Sequence, residues 1–268
     1  MNKARAKEVA DWTLEAVARG RYAAPSGRTV HVAHDVSAAV DATREYSPEE
    51  ELAPMADAGR VTSIRVVEAS TLEAARELVE RGVDVAALNF ASAKRPGGGF
   101  RSGARAQEES IARVSGLYAC LEGRRMYDVH RSLGDFAYTD WVIHSPDVPV
   151  LCDDQGVPLE HPWRCAFLTS AAPNAREMTR RGRLASEAIR LLEARIERVL
   201  SVAAHHGHTH LVLGAWGCGV FRNDPSAVAQ AFRRVLRGPA RGVFEEAVFA
   251  ILDETRTRRT LRAFERSV

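Results

Sequence analysis

Lysine is nearly absent from this chain: it occurs only at Lys3, Lys7 and Lys94, against 34 arginines. The imbalance reads first as a bias of the coding genome and second as a preference for planar, bidentate recognition of anions. Cysteine is scarce as well. The four present, Cys120, Cys152, Cys165 and Cys218, lie far apart with no Cys-x-x-Cys pair. That spacing excludes a structural zinc ribbon and a small disulfide scaffold, and leaves buried free thiols as the plain reading. No stretch approaches the ~18 consecutive apolar residues that would cross a membrane. No long basic run exists and the formal charge is only +2, so no global field draws in nucleic acid. The opening residues lack the apolar block of a signal peptide, running from Met1 into Val9, Trp12 and Ala16 at helical spacing, so a cytoplasmic protein is expected. No repeat, low-complexity tract or linker marks a boundary, so one domain is expected.

What the chain does have is apolar material. At 268 residues with 46% hydrophobic, roughly 70–75% of the unfolded surface can be buried on folding. Runs rich in β-branched residues alternate with stretches of helical period, the pattern of an α/β protein. Strands are expected at Thr29–His34, Val61–Val67, Val83–Phe90, Trp141–His144, Arg164–Thr169, His210–Ala215 and Ala247–Leu252. Ser70 and Glu73 form a capping box ahead of a helix bearing Ala75, Leu78 and Val79. A second helix is expected over Leu184 to Ala204, a third behind Asp224-Pro225, and a last from near Thr255 to the end. Gly123 to Trp163, with Pro146, Pro149, Pro158 and Pro162, reads as one strand plus long surface connections.

Two segments carry chemistry. In the first, the strand ending Asn89-Phe90 leads through Ser92, Lys94 and Arg95 to Gly97-Gly98-Gly99, and then to Gln107-Glu108-Glu109. Three glycines allow positive φ and close approach of a ligand to main-chain N–H groups, although such a run also suits a ligand-free loop. The segment lacks the lysine and hydroxyl of a P-loop and the third glycine of a dinucleotide fingerprint. Glu108 and Glu109 open a helix whose apolar face is Ile111, Val114, Leu117 and Leu121. Acids at a helix N-terminus are often merely solvated partners of the macrodipole. Adjacent carboxylates also raise one another's pKa, the raw material of acid–base catalysis. Side chains one residue apart on a helix point ~100° apart, so the two would play different roles.

In the second segment an apolar strand runs into Gly217-Cys218-Gly219-Val220-Phe221 and then the helix at Pro225. Its turn aims amides at whatever lies beyond the strand end, a cradle for a diphosphate. Phe221 suits either a stack on a base or the core. His205, His206, His208 and His210 fit no metal-site spacing and read as a solvated loop.

Taken together, Gly-Gly-Gly followed after seven residues by Gln-Glu-Glu, with a later Gly-Cys-Gly-Val-Phe, closely resembles the bacterial-type poly(ADP-ribose) glycohydrolases. The resemblance implies a macrodomain-like fold over residues 1–268 with an N-terminal helical extension: three layers, α/β/α, around a central mixed sheet. It implies exo hydrolysis of the ribose–ribose O-glycosidic bond of poly(ADP-ribose), releasing ADP-ribose without metal or nucleotide cofactor; no exposed stripe stands out in the sequence, and a monomer is expected. By motif position Glu109 would be the general acid and then base, and Glu108 would hold ribose hydroxyls and tune Glu109. Gln107 and Asn89 would position the sugar. The turns Gly97, Gly98, Gly99 and Gly217, Cys218, Gly219, Val220 would hold diphosphate and distal ribose, with Phe221 on adenine. Two alternatives remain at this stage: a non-catalytic ADP-ribose reader with the same frame, and a hydrolase of mono-ADP-ribose on protein or DNA.

Overall fold

The computed structural model describes residues 1–268. The chain begins with α1 (Lys3–Arg19), a β1–β2 hairpin (Arg21–Ala23, Thr29–His31) and α2 (Ala33–Ala42). Then come β3 (Arg44–Tyr46), β4 (Ser63–Val67), α3 (Thr71–Glu80) and β5 (Val85–Phe90). A single 3-10 turn at Phe100–Ser102 precedes α4 (Gln107–Val114), α5 (Leu117–Leu121) and α6 (Arg125–Ser132). The remainder is β6 (Val142–Cys152), β7 (Pro158–Ser170), α7 (Ala175–Arg180), α8 (Ala185–His205), β8 (His210–Leu213), α9 (Pro225–Arg237), β9 (Glu246–Ala250) and α10 (Arg259–Ser267).

Seven strands form one mixed sheet in the order β3-β6-β7-β5-β8-β9-β4, parallel from β7 through β4, with β6 antiparallel to both its neighbours. Successive residues of β5 face opposite layers, as the two-residue strand period requires. Val85 and Ala87 belong to the core layer that holds Val36, Ile111 and Leu117, while Ala86 and Leu88 belong to the layer that holds Ile196, Phe232 and Phe264. Both faces of the central strands are therefore covered, which is why they read as unbroken apolar runs. The expected α/β/α layering is what forms.

Local signals hold where short-range chemistry decides. Ser70 Oγ accepts from the Glu73 amide at 3.0 Å, and Glu73 returns the bond to the Ser70 amide at 2.7 Å. Asp224 caps α9 through the Ala227 amide, 3.0 Å away.

Three expectations are corrected. The strand expected at Thr29–His34 is shorter and lies outside the central sheet: Thr29–His31 pairs only with β1, and the chain turns into α2 at Ala33. Gly123 to Trp163 is far more regular than its prolines suggest, holding α6, β6 and most of β7. β3 covers only Val142, Ile143 and His144 of β6, so Pro146 and Pro149 sit where one side of β6 has no strand to donate to. A register shift between Ser145 and Val148 absorbs the remaining misfit.

The histidines are the third correction. His208 and His210 are buried. His208 Nδ1 meets Asp84 Oδ2 at 2.6 Å and its Nε2 meets His144 Nε2 at 2.9 Å, so one proton is shared between the two rings. The His144 ring stacks on His206 with centroids 3.6 Å apart, and His206 Nε2 bonds Tyr46 Oη at 2.7 Å. Burial, reinforced by the neighbouring His206 and His208, lowers the His144 pKa to about 3. His205 and His206 stay exposed, as expected, while His144 of β6 and Asp84 ahead of β5 draw His208 inward.

Candidate active site

The strands β5 and β8 end side by side, and a cleft of about 700 Å3 opens beyond them. That is where ligands sit in open α/β sheets. One wall comes from Phe90 to Arg95 with Gly98 and Gly99, another from the first turn of α4, and a third from Ala215 to Phe221.

Glu108 lies fully buried at the base of the first two walls. Its Oε2 accepts from the Ser92 amide at 2.6 Å, while Oε1 is sealed from solvent with no partner. Burial pushes its pKa well above the usual carboxylate range, against the pull of the Ser92 amide, and the adjacent Glu109 pushes it further. Glu109 is less enclosed. Its Oε1 accepts from the Gly99 amide at 2.9 Å, and the side chain lines the open cleft. The pair thus has two environments, one dry and one open to the cleft.

The glycines make room for this pair. Gly98 holds φ +57°, and a Cβ there would land on Glu109 Oε1 and 3.0 Å from Glu108 Oε2. Gly97, at φ +65°, faces inward: its missing Cβ would stand 2.9 Å from the Phe100 ring and 3.2 Å from Ala112 Cβ. It shapes the turn from behind, whereas Gly98 and Gly99 line the cleft.

On the far wall, Gly217 holds φ +74° with a missing Cβ 2.8 Å from Ala172 Cβ, and the Asn223 side chain fills the turn by donating to the Gly217 carbonyl at 3.2 Å. Trp216 is buried and ties the turn to β7 through a 3.2 Å bond from Nε1 to the Ser170 carbonyl. Cys218, Gly219, Val220 and Phe221 then line the cleft, with Val220 exposed and Phe221 half-buried. Burial raises the Cys218 thiol to about 12. It therefore stays protonated and is no nucleophile at neutral pH.

Two sequence expectations shift. Gln107 does not offer its amide to a sugar: Nε2 donates to the Leu88 carbonyl at 2.8 Å and to Thr71 Oγ1 at 3.0 Å, and Oε1 accepts from the Phe90 amide at 2.8 Å. Both donors are spent, so Gln107 is a strut that pins α4 to β5 and so aims the two glutamates. Asn89 is also fully buried, donating to Thr169 Oγ1 at 3.1 Å, with its side chain facing Glu108 rather than the cleft opening.

The structure adds residues that sequence reasoning missed. Tyr138 lines the cleft at φ +54°, its ring 6.1 Å from Phe221. A strained backbone at a non-glycine residue persists only when its surroundings over-determine it. Here buried Arg195 does so, holding Ala137 O at 3.1 Å, Ala171 O at 2.6 Å and Asp140 Oδ1 at 2.8 Å. Asp154 reaches the cleft from the β6–β7 turn and accepts from Ser70 Oγ at 2.6 Å. No local motif announces either residue, because both arrive through long-range packing.

The comparisons agree with this geometry. Residues 10–153 match the sequence model described as microbial-type PARG, catalytic domain, PARG standing for poly(ADP-ribose) glycohydrolase. No curated protein matches. Among solved structures, a poly(ADP-ribose) glycohydrolase from Thermomonospora curvata is 48% identical with a TM-score of 0.94, each chain covered in full. The same enzyme bound to the inhibitor ADP-HPD superposes at TM-score 0.92, with the same identity and coverage. The Deinococcus radiodurans enzyme in complex with ADP-ribose is 44% identical with a TM-score of 0.83, over 87% of this chain and 96% of that one.

Proposed function

The chain belongs to the microbial-type poly(ADP-ribose) glycohydrolase family, and from that premise we propose that it releases ADP-ribose from the ends of poly(ADP-ribose), with Glu109 as general acid and then base. It is a glycoside hydrolase. The single observation that carries the assignment of roles is reach: Glu109, held on one oxygen by the Gly99 amide, faces the open cleft, whereas Glu108 is sealed from solvent behind it.

In this reading the terminal ribose lies against Glu108. Glu109 gives its proton to the departing ribose oxygen as the bond from the anomeric carbon breaks and positive charge develops on the sugar ring. A water then attacks that carbon and loses its proton to the Glu109 carboxylate, restoring the acid. Glu108 in its carboxylic acid form adds no second negative charge beside Glu109 and can donate to a ribose hydroxyl. The amides of Gly98 and Gly99 and the Gly217–Phe221 turn hold the diphosphate and distal ribose, with Phe221 on adenine. A cleft of about 700 Å3 is in the size class of a pocket for one ligand, which supports attack at a chain end. Residues 1–268 act as one catalytic unit, a monomer in the cytoplasm; no helix is long and apolar enough to cross a membrane.

The test is incubation of the purified protein with poly(ADP-ribose) in EDTA, beside Glu109→Gln. Free ADP-ribose from the parent protein alone supports the assignment. Binding of ADP-ribose without release from polymer would favour a reader, or a hydrolase of mono-ADP-ribose linkages.

A further inference from the structure

Beside the cleft runs a second, shallower groove of about 460 Å3, lined by Lys3, Ser102, Gly103, Ala104, Arg105 and Ala106. Arg105 and Ala106 line both, so groove and cleft are continuous. The lining contains two cations and no acid. Both are exposed, and Arg105 is held only through Nη1, which donates to the Met1 carbonyl at 2.8 Å. The fold brings Lys3 here deliberately close: Gly103 sits at φ +80°, and a Cβ on it would stand 2.5 Å from the Lys3 carbonyl oxygen and 2.9 Å from Lys3 Cγ. A side chain at position 103 would push the first turn of α1 off the groove.

The groove also abuts the reacting group. A Cβ built on Gly99 would lie 3.1 Å from Ala104 Cβ, 3.3 Å from Ser102 Oγ and 3.8 Å from Glu109 Oε1. Ser102 Oγ donates to the Gly99 carbonyl at 2.8 Å, and the Gly99 amide donates to Glu109. The groove wall and the Glu109 carboxylate therefore share one residue as their boundary.

When Glu109 protonates a departing oxygen, that oxygen belongs to the ribose of the next unit of the polymer, so the rest of the chain must leave past Glu109. One ribose further along, that unit carries its own diphosphate. We propose that the Lys3–Arg105 groove is the subsite for the diphosphate of the penultimate ADP-ribose unit. The inference rests on the glycohydrolase reading above. Two exposed cations there neutralise a second diphosphate, which a substrate of one ADP-ribose unit lacks, so the groove favours polymer over any substrate with a small leaving group. The contact is solvent-exposed and weakens with salt.

The test compares two substrates on the full chain: long poly(ADP-ribose), and an aryl glycoside of ADP-ribose, which has the terminal unit but no second diphosphate. Lys3→Glu combined with Arg105→Glu is expected to raise KM for the polymer about tenfold, the scale of two exposed charge contacts reversed, and to flatten its salt dependence. Lys3→Glu alone, at a residue that lines the groove and not the cleft, should leave kcat on polymer and both constants on the aryl glycoside unchanged while raising the polymer KM, and Lys3→Arg with Arg105→Lys should keep the polymer KM. A polymer KM that does not move, or an equal loss on both substrates, overturns the subsite. A parent protein that cleaves neither substrate overturns the glycohydrolase reading, and the subsite with it.

Discussion

Gly98 and Glu109 compete for the same space. The Cβ that any other residue would carry at position 98 falls on Glu109 Oε1, so the acid can approach the loop only because position 98 has no side chain. The same residue sits at φ +57°, a conformation that costs an L-residue roughly 1–2 kcal/mol.

Gly98→Ala is therefore expected to cut kcat on poly(ADP-ribose) by at least about a hundredfold, the scale of loss that follows misplacement of a catalytic group by about an ångström. Melting temperature should fall only by the strain. Parallel kinetics and thermal melts check this; near-normal turnover would mean that the Glu109 position is not set by position 98.

Glu109→Gln should abolish turnover while leaving ADP-ribose affinity within about tenfold, or ~1.4 kcal/mol. Calorimetric titration beside the rate assay separates the two effects, and equal losses in binding and rate would argue against a chemical role for this carboxylate.

Glu108→Gln should differ in sign between activity and stability. The folded state raises the Glu108 pKa well above 4.5, so the native protein binds a proton that the unfolded chain releases. Stability from this group is intact below about pH 4.5 and is lost as pH rises toward the folded pKa. The glutamine variant should lose activity yet hold its melting temperature better than the parent between pH 5 and 8, a range following from that linkage. A larger stability loss at pH 8 than at pH 5 would contradict the burial argument.

His144 works in the opposite direction. Its folded pKa of about 3 lies below the usual 6.5, so the unfolded state takes up the proton first. Stability is complete above pH 6.5 and falls as pH drops toward 3, by up to about 1.4 kcal/mol per pH unit. His144→Phe should shallow that acid slope in denaturant titrations from pH 7 to 4. An unchanged slope would place the acid sensitivity elsewhere.

Phe221→Ala should weaken ADP-ribose binding by about 1–3 kcal/mol if the ring stacks on adenine. The ring is half-buried, so an unchanged affinity with a lowered melting temperature would make it a packing residue instead.

How much of this was legible in the sequence depends on the range of the interaction. The capping box at Ser70 and Glu73, the proline-led α9 and the buried runs of β5, β8 and β9 rest on neighbours within a few residues, and all formed near their expected bounds. β3 was not legible, because three residues carry no periodicity and Arg44–Tyr46 becomes a strand only by pairing with β6. The motif glutamates and glycines were found for the same local reason: a glycine run and an acid pair are visible in any order-preserving reading of the chain.

Sequence alone determined the α/β class and the motif glutamates and glycines that line the cleft, since period, caps and glycine turns are written in adjacent letters. Tertiary structure decided how each of them works: that Glu108 is the dry carboxylate and Glu109 the wet one, that Gln107 and Asn89 spend their amides inward, and that His144 and His208 share a proton. Burial and hydrogen-bond partnership belong to groups far apart in the chain, and they acquire values only once folding has removed the water between them.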